Sequence, residues 1–294
     1  MPAAARHTKT YLLKLFRELG IAPTTKLGQN FLVDPNLQHF IVDAADVEPH
    51  DVVLEVGTGT GGLTTLLADR ASAVVSVEVD RHLYELASEH LFDRENVTLL
   101  LQDALRNKNT IDARVLDAVR ERLEATGGPL KLVANLPYNI ATPLISNLLG
   151  SEPHPASMTV TIQKELAERI VAVPKTKDYG AFSIWVQCQA DARIVRILPP
   201  SVFWPRPKVE SAIVRIDVDE ARRAAIPDRP YFHQFVKAMF LHRRKFLRAN
   251  LVSAMKRHLS KEQVDDILSE LGLTGTVRTE AARATSHSEE STLP

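Results

Sequence analysis

Short, continuous apolar runs, each followed by a helical stretch, constrain this chain more than any other feature. Residues 51–56 (DVVLEV), 73–78 (AVVSVE), 97–101 (VTLLL), 131–134 (KLVA) and 158–163 (MTVTIQ) are too short for helices and mostly lack polar alternation. Runs of that kind read as strands buried on both faces. Helical stretches follow at 63–70, 81–90, 111–126, 142–149 and 164–172. In the fourth, Thr142-Pro143 reads as N-cap and first turn. Such alternation predicts an α/β fold, a doubly wound, mostly parallel, Rossmann-like sheet with its strand tips along one edge. Further strands are expected at 193–198 and 209–218, with a helix at 181–190 before them. Between these last strands, Pro199 to Lys208 is too proline-rich for either regular structure.

The ends of the chain read differently. Residues 8–20 place Tyr11, Leu12, Leu15, Phe16 and Leu19 on one helical stripe, and 24–32 form an irregular polar arm. Asp34-Pro35 is an N-cap followed by a first-turn proline, opening a helix to about Asp46. After Asp219 the β signal stops, residues 230–272 read as helix, and the tail beyond 274 is polar and expected to fray. The expected division is therefore a domain at 1–220, arm 1–33 included, and a smaller all-helical domain at 221–294. At 45% hydrophobic and 24% charged residues, a chain of 294 can fill a core of that size.

A single cysteine, Cys188, excludes an internal disulfide and a cysteine-based metal site, and fits a reducing compartment. No run of about 18 apolar residues offers a membrane span. The N-terminus lacks an apolar signal core. The expectation is a cytoplasmic monomer that binds no metal. Net charge is zero, yet Lys237, Arg243, Arg244, Lys245, Arg248, Lys256, Arg257 and Lys261 stand in a stretch without one acid. That asymmetry suits a polyphosphate partner, RNA included, though a solvated helix face also accounts for it.

Glu55-Val56-Gly57-Thr58-Gly59-Thr60-Gly61 lies between a strand and a helix. Glycines there admit a ligand close to the backbone, and the helix start supplies N–H groups. Glu78, 21 residues after Gly57, ends the second strand, where a carboxylate can accept from ribose hydroxyls. Asp103 ends the third, placed for an adenine amine. Any one acid alone would be an ordinary loop carboxylate. Three consecutive strand tips point to a nucleoside cofactor, NAD or S-adenosylmethionine.

The fourth tip, Asn135-Leu136-Pro137-Tyr138, separates these two. Proline fixes its own φ and holds the preceding residue extended, so the strand ends abruptly. Asn135 offers a neutral amide, Leu136 a carbonyl and Tyr138 a flat ring, a set suited to gripping the exocyclic amine of a planar base. A hydride-transfer enzyme wants a proton donor or acceptor at the reacting carbonyl. No histidine stands at a strand tip: His82 and His90 fall in a helix and His154 in a loop. Methyl transfer to an amine needs alignment and an electrostatic shell, which favours S-adenosylmethionine.

With these motifs in view, the chain resembles the small-subunit ribosomal RNA adenine-N6,N6-dimethyltransferases of the KsgA type. The resemblance rests on KLGQNFL (26–32), LEVGTGTGGLT (54–64), VEVDR (77–81), QDA (102–104), NLPYNIATPL (135–144), IQKELAERI (162–170), PPSVFWPRPKVESAIVRI (199–216) and HRRKFLRANL (242–251). It implies that Asn30, Leu32, Gly57, Gly59, Glu78, Asp103 and Asn135 line an S-adenosylmethionine site. It implies also that Tyr138 and Phe203 sandwich a target adenine, with Asn135, Leu136 and Pro137 completing the catalytic loop. Lys237, Arg243, Arg244, Lys245 and Arg248 would contact RNA of the small subunit or its precursor particle. Trp204 replaces a small polar residue of the family pattern, and a bulky ring there is expected to affect entry of the base. Arg278-Thr279-Glu280-Ala281 matches the family's C-terminal pattern loosely. Two relatives of this pattern stay open: an adenine methyltransferase acting on 23S RNA, and a non-catalytic RNA-binding assembly factor on the same fold.

Overall fold

The computed structural model describes residues 9–18, 20–24, 27–242, 245–256, 258–273 and 278–279. They fall into two compact units, Met1–Ala167 with Arg193–Asp217, and Glu168–Ala192 with Val218–Pro294.

The first unit begins with helix α1 (Lys9–Glu18), then a two-residue strand β1 (Phe31–Leu32) and α2 (Pro35–Ala45). Asp34 caps α2 by accepting from Asn36 N at 2.9 Å, with Pro35 in the first turn where no N–H is missed. The βα alternation follows as β2 (Val52–Val56), α3 (Gly62–Ala68), β3 (Ala73–Glu78), α4 (Arg81–His90) and β4 (Val97–Leu101). A small hairpin, β5 (Leu105–Asn107) with β6 (Thr110–Ile111), precedes α5 (Ala113–Thr126), so the expected helix at 111–126 starts two residues late. Next come β7 (Leu130–Asn135), α6 (Ala141–Gly150), β8 (Ser157–Gln163) and α7 (Lys164–Ile170). Thr142 is not the cap of α6. Ile140 holds that position without a side-chain bond, and Pro143 is tolerated because N–H groups of a first helical turn have no intrahelical acceptor. Beyond α8 (Ala181–Gln187) come β9 (Ala190–Leu198), β10 (Phe203–Trp204) and β11 (Ser211–Val218).

Seven strands form one sheet in the order β4-β3-β2-β7-β8-β11-β9. The pairs β3–β4, β2–β3, β2–β7 and β7–β8 are parallel, and β8–β11 is antiparallel. Every residue of β2 and β3 is buried, as two-sided cover by helices requires. Strand order reverses between β2 and β7, the kind of switch point at which open α/β sheets bind ligands.

The proline-rich stretch is not wholly irregular. It pairs Phe203–Trp204 antiparallel with Phe31–Leu32, in the register Phe31↔Trp204 and Leu32↔Phe203. Directly paired residues share a face and successive residues alternate. Leu32 and Phe203 therefore point together into the core with Leu37, Ile41, Val133 and Ile213. Phe31 and Trp204 point the other way, into a cluster with Leu12, Phe16 and Leu83.

The second unit adds α9 (Glu220–Ala224), α10 (Arg229–Phe240), α11 (Leu247–Met255) and α12 (Lys261–Glu270). One of its clusters joins Tyr179 and Ile184 to Val236; another joins Met239 and Leu247 to Val264 and Leu268. The contiguous division at 220 needs amending for this reason: the apolar side chains around α8 find their partners on α10. The described part of the tail, residues 278–279, is held in place. Thr279 is buried, donates to Lys245 O at 3.3 Å and takes Asn250 Nδ2 on its hydroxyl at 2.8 Å.

Candidate active site

A cleft opens at the carboxyl tips of β2, β3, β4 and β7. Asn30, Gly57, Gly59, Glu78, Asp103, Asn135, Leu136 and Pro137 all line it, as does Phe31. Residues drawn from five separate stretches of sequence thus meet at one place.

Each tip is held by its own chemistry. Gly57 and Gly59 lie at φ +90° and +57°, and a Cβ on Gly57 would stand 3.4 Å from Pro137 Cδ and 3.7 Å from Asn135 O. Side chains there would fill the space a ligand needs. Glu78 is buried, and its Oε2 accepts from Gly59 N at 2.8 Å while Oε1 accepts from Val79 N and Asp80 N, each at 2.9 Å. Burial raises its pKa above the usual carboxylate range, and those backbone donors oppose the rise. Asp103 is exposed; its Oδ1 takes Leu105 N at 2.9 Å. A carboxylate has about four acceptor sites, so both acids keep capacity for a ligand.

Beneath the cleft runs a chain of hydroxyls ending on a buried acid. Thr58 Oγ1 and Ser76 Oγ lie 2.6 Å apart, and Ser76 and Thr64 each donate to Glu55 Oε2 at 2.6 Å. Burial pushes Glu55 up to about 8, with the two hydroxyls opposing and the Glu78 charge adding to the rise. An acid inside a doubly buried strand is the sequence signal for such a raised group.

At the fourth tip, Asn135 Nδ2 donates to Asn30 O at 2.8 Å. A carbonyl opposite requires the NH2 side of the amide, which fixes Oδ1 as the acceptor on the other side. Leu136 N donates to Thr161 O at 3.1 Å, tying the turn to β8. Tyr138 is half-buried beside the lining residue Pro137, and its hydroxyl lies 2.6 Å from Ser211 Oγ. Burial raises the Tyr138 pKa, against the lowering effect of Ser211.

Two expected placements are not met. Phe203 is only 2% exposed and presents no open face to a base, because the β1–β10 register turns it into the core. Leu32 is turned inward by the same register, and Phe31 lines the cleft instead. Trp204, whose ring was expected to affect entry of the base, packs against Phe16 and Phe31. Only alternation along β1 could have flagged Phe31, and nothing in the sequence announces so short a strand.

Of the basic set, Lys237 and Lys245 are exposed. Arg243 and Arg244 lie outside the described residues. Arg248 is not an idle cation: Nε and Nη2 meet Asp265 at 2.5 and 2.7 Å. The acid that neutralises it sits on the next helix, 17 residues on, beyond the acid-free stretch.

Residues 22–289 match the family model described as Ribosomal RNA adenine dimethylase. A protein of Alkaliphilus metalliredigens named Ribosomal RNA small subunit methyltransferase A is 40% identical over 242 residues, 82% of this chain and 81% of its own. Its namesake from Ligilactobacillus salivarius is 38% identical over 95% of this chain and 92% of its own. Among solved structures, a dimethyladenosine transferase from Plasmodium falciparum shares the fold, with a TM-score of 0.70 at 23% identity, covering 85% of this chain and 91% of that one. The 23S rRNA methyltransferase ErmE gives 0.60 at 25% identity, covering 86% and 94%. The match over most of its length, carried by relatives of this similarity, makes the chain a member of the ribosomal RNA adenine dimethylase family.

Proposed function

We propose that this enzyme uses S-adenosylmethionine to dimethylate the N6 amines of adjacent adenosines in small-subunit ribosomal RNA during ribosome assembly. The observation that carries the reading is the Asn135 amide, oriented by Asn30 O so that its oxygen is an acceptor at a cleft it shares with Glu78 and Asp103. Small-subunit specificity is supported by relatives of that name at 38 to 40% identity, against 25% for the 23S enzyme.

The cleft fits the cofactor. Glu78 would accept from its ribose hydroxyls and Asp103 from its adenine amine, and the main chain at Gly57, with Asn30 and Asn135, would hold the amino-acid portion. Bound there, S-adenosylmethionine supplies an electrophilic methyl group. The protein's part is to present the acceptor. The target adenine leaves its stack at a cost of a few kcal/mol, least in an unpaired loop. Stacking on Tyr138, worth about 1–3 kcal/mol, offsets this. Asn135 Oδ1 and the Leu136 carbonyl accept the N6 hydrogens. That favours a pyramidal nitrogen with an available lone pair and stabilises the positive charge building on it. Alignment contributes most, up to about 7–11 kcal/mol where geometry is held well. The amine proton then leaves to water. For the second methyl, one of the two hydrogen bonds is given up.

Lys237 and Lys245 of the second unit contact phosphate, and the enzyme acts as a cytoplasmic monomer on the small-subunit precursor. Among the described residues no helix is long and apolar enough to cross a membrane. The test is incubation with methyl-labelled cofactor and undermethylated small- or large-subunit particles, followed by mass spectrometry of the RNA. Dimethyladenosine confined to small-subunit RNA is expected. Label on large-subunit RNA alone, or a protein that binds no cofactor by calorimetry, overturns the proposal.

A further inference from the structure

We infer that Trp204 and Phe16 form an aromatic clamp through which helix α1 holds the Phe31 wall of the cleft, making Trp204 a positioning residue for cofactor binding. The inference rests on the cofactor reading given above.

Phe31 is an unusual wall. It belongs to a strand of two residues whose partner also has only two, too little pairing to hold a backbone by itself. Yet its ring lines the cleft close beside Gly59, where a Cβ would stand 3.4 Å from two of its carbons. Something beyond the ladder must keep the ring there. On the core side, Leu32 and Phe203 anchor the strand pair. On the other side, Trp204 stacks on Phe31 with centroids 6.3 Å apart and planes 27° from parallel. Phe16 meets both rings edge-on, at 5.4 Å and 67° from Phe31 and at 5.2 Å and 90° from Trp204.

The third member makes this a clamp rather than a local stack. Phe16 belongs to α1, a helix of ten residues, shorter than isolated helices that persist in water. What keeps α1 folded is the burial of Leu12 and Phe16 against Leu83 and this aromatic pair. Helix and wall therefore depend on one another. Loosening Trp204 frees both, and cofactor bound against Phe31 tightens both, a mutual dependence that thermodynamic linkage requires.

The chain's tryptophans make the test direct. There are two, and Trp185 lies in the second unit, so Trp185→Phe leaves Trp204 as sole reporter. In that full-length variant, titrated S-adenosylhomocysteine is expected to shift the emission saturably, at the Kd that calorimetry gives. Without the reporter change, Trp204→Thr, which removes the ring but keeps strand propensity, is expected to weaken S-adenosylhomocysteine about tenfold and to speed tryptic cleavage at Arg17. Trp204→Phe should recover most of the affinity. Phe16→Ala, which touches the clamp from α1 alone, should weaken binding similarly and serves if the threonine variant does not fold. Wild-type protein that binds while Trp204→Thr and Phe16→Ala bind within twofold of it overturns the clamp alone. Wild-type protein that does not bind overturns the cofactor reading, and the clamp with it.

Discussion

The Tyr138 ring stacks the target base in this account, and one side-chain hydrogen bond ties it to the sheet. Its hydroxyl lies 2.6 Å from Ser211 Oγ, and Ser211 is fully buried at the start of β11, paired opposite Gln163. Ser211→Ala removes the tether and keeps the ring. A neutral hydrogen bond contributes about 0.5–1.5 kcal/mol net, and an orphaned buried partner costs about 1–3 kcal/mol. Tyr138 is half-buried, so water replaces part of the bond and the lower end applies, about 1 kcal/mol of stability. If the lost restraint forfeits a similar share of the stacking energy, kcat/KM for RNA falls about fivefold. Tyr138→Phe should do the same. Because each removes one end of one bond, the double variant should be no worse than either single. Labelled-methyl transfer to small-subunit particles gives the rates and urea unfolding the stabilities. A phenol holds its proton at neutral pH and burial raises its pKa further, so the coupling should persist there. Losses that add in the double variant, or a Ser211→Ala enzyme with wild-type kcat/KM, would refute the tether.

Three further outcomes follow from named contacts. Glu55 keeps its proton in the folded state up to about pH 8, while the unfolded chain releases it near 4.5. Its contribution to stability is therefore complete below 4.5 and lost as pH rises toward 8, at about 1.4 kcal/mol per unit within that window. Glu55→Gln removes the slope, so its advantage over wild type should grow between pH 5 and 8 in urea midpoints; parallel profiles would count against a proton on Glu55. Phe203→Ala should cost about 3–5 kcal/mol of stability as a core deletion, whereas a ring used only for stacking would leave the unfolding midpoint unmoved. In RNA binding against salt, Lys237→Glu and Lys245→Glu should each reduce the slope by about one. Arg248→Ala should change it less, because Asp265 already holds that guanidinium; an equal loss would put Arg248 on the RNA.

Much of the fold was legible because parallel strands covered on both faces must be continuous apolar runs, and polar residues ending them must lie on one edge. Glu78, Asp103 and Asn135 were found that way, and the cleft brings them together. What escaped depends on partners distant in sequence. Two residues per strand carry no periodicity, so the pairing of Phe31–Leu32 with Phe203–Trp204 was invisible, and with it the inward turn of Leu32 and Phe203. The segment around α8 reads as an ordinary helix whose home is decided by Val236, far along the chain. Asp265, the partner of Arg248, lies just beyond the acid-free stretch 237–261. Asn30 was reached only through resemblance, and its carbonyl is what orients Asn135.

The central claim is that Asn135 Oδ1 and the Leu136 carbonyl grip the amine that accepts the methyl group. The most direct measurement compares Asn135→Ala with wild type in single-turnover methyl transfer to small-subunit particles at saturating cofactor, with cofactor Kd taken separately by calorimetry. The account predicts a rate lower by about 10² or more, as for loss of one preorganised transition-state contact, and a Kd that moves far less. A rate near wild type, or a loss wholly explained by weaker cofactor binding, would contradict it.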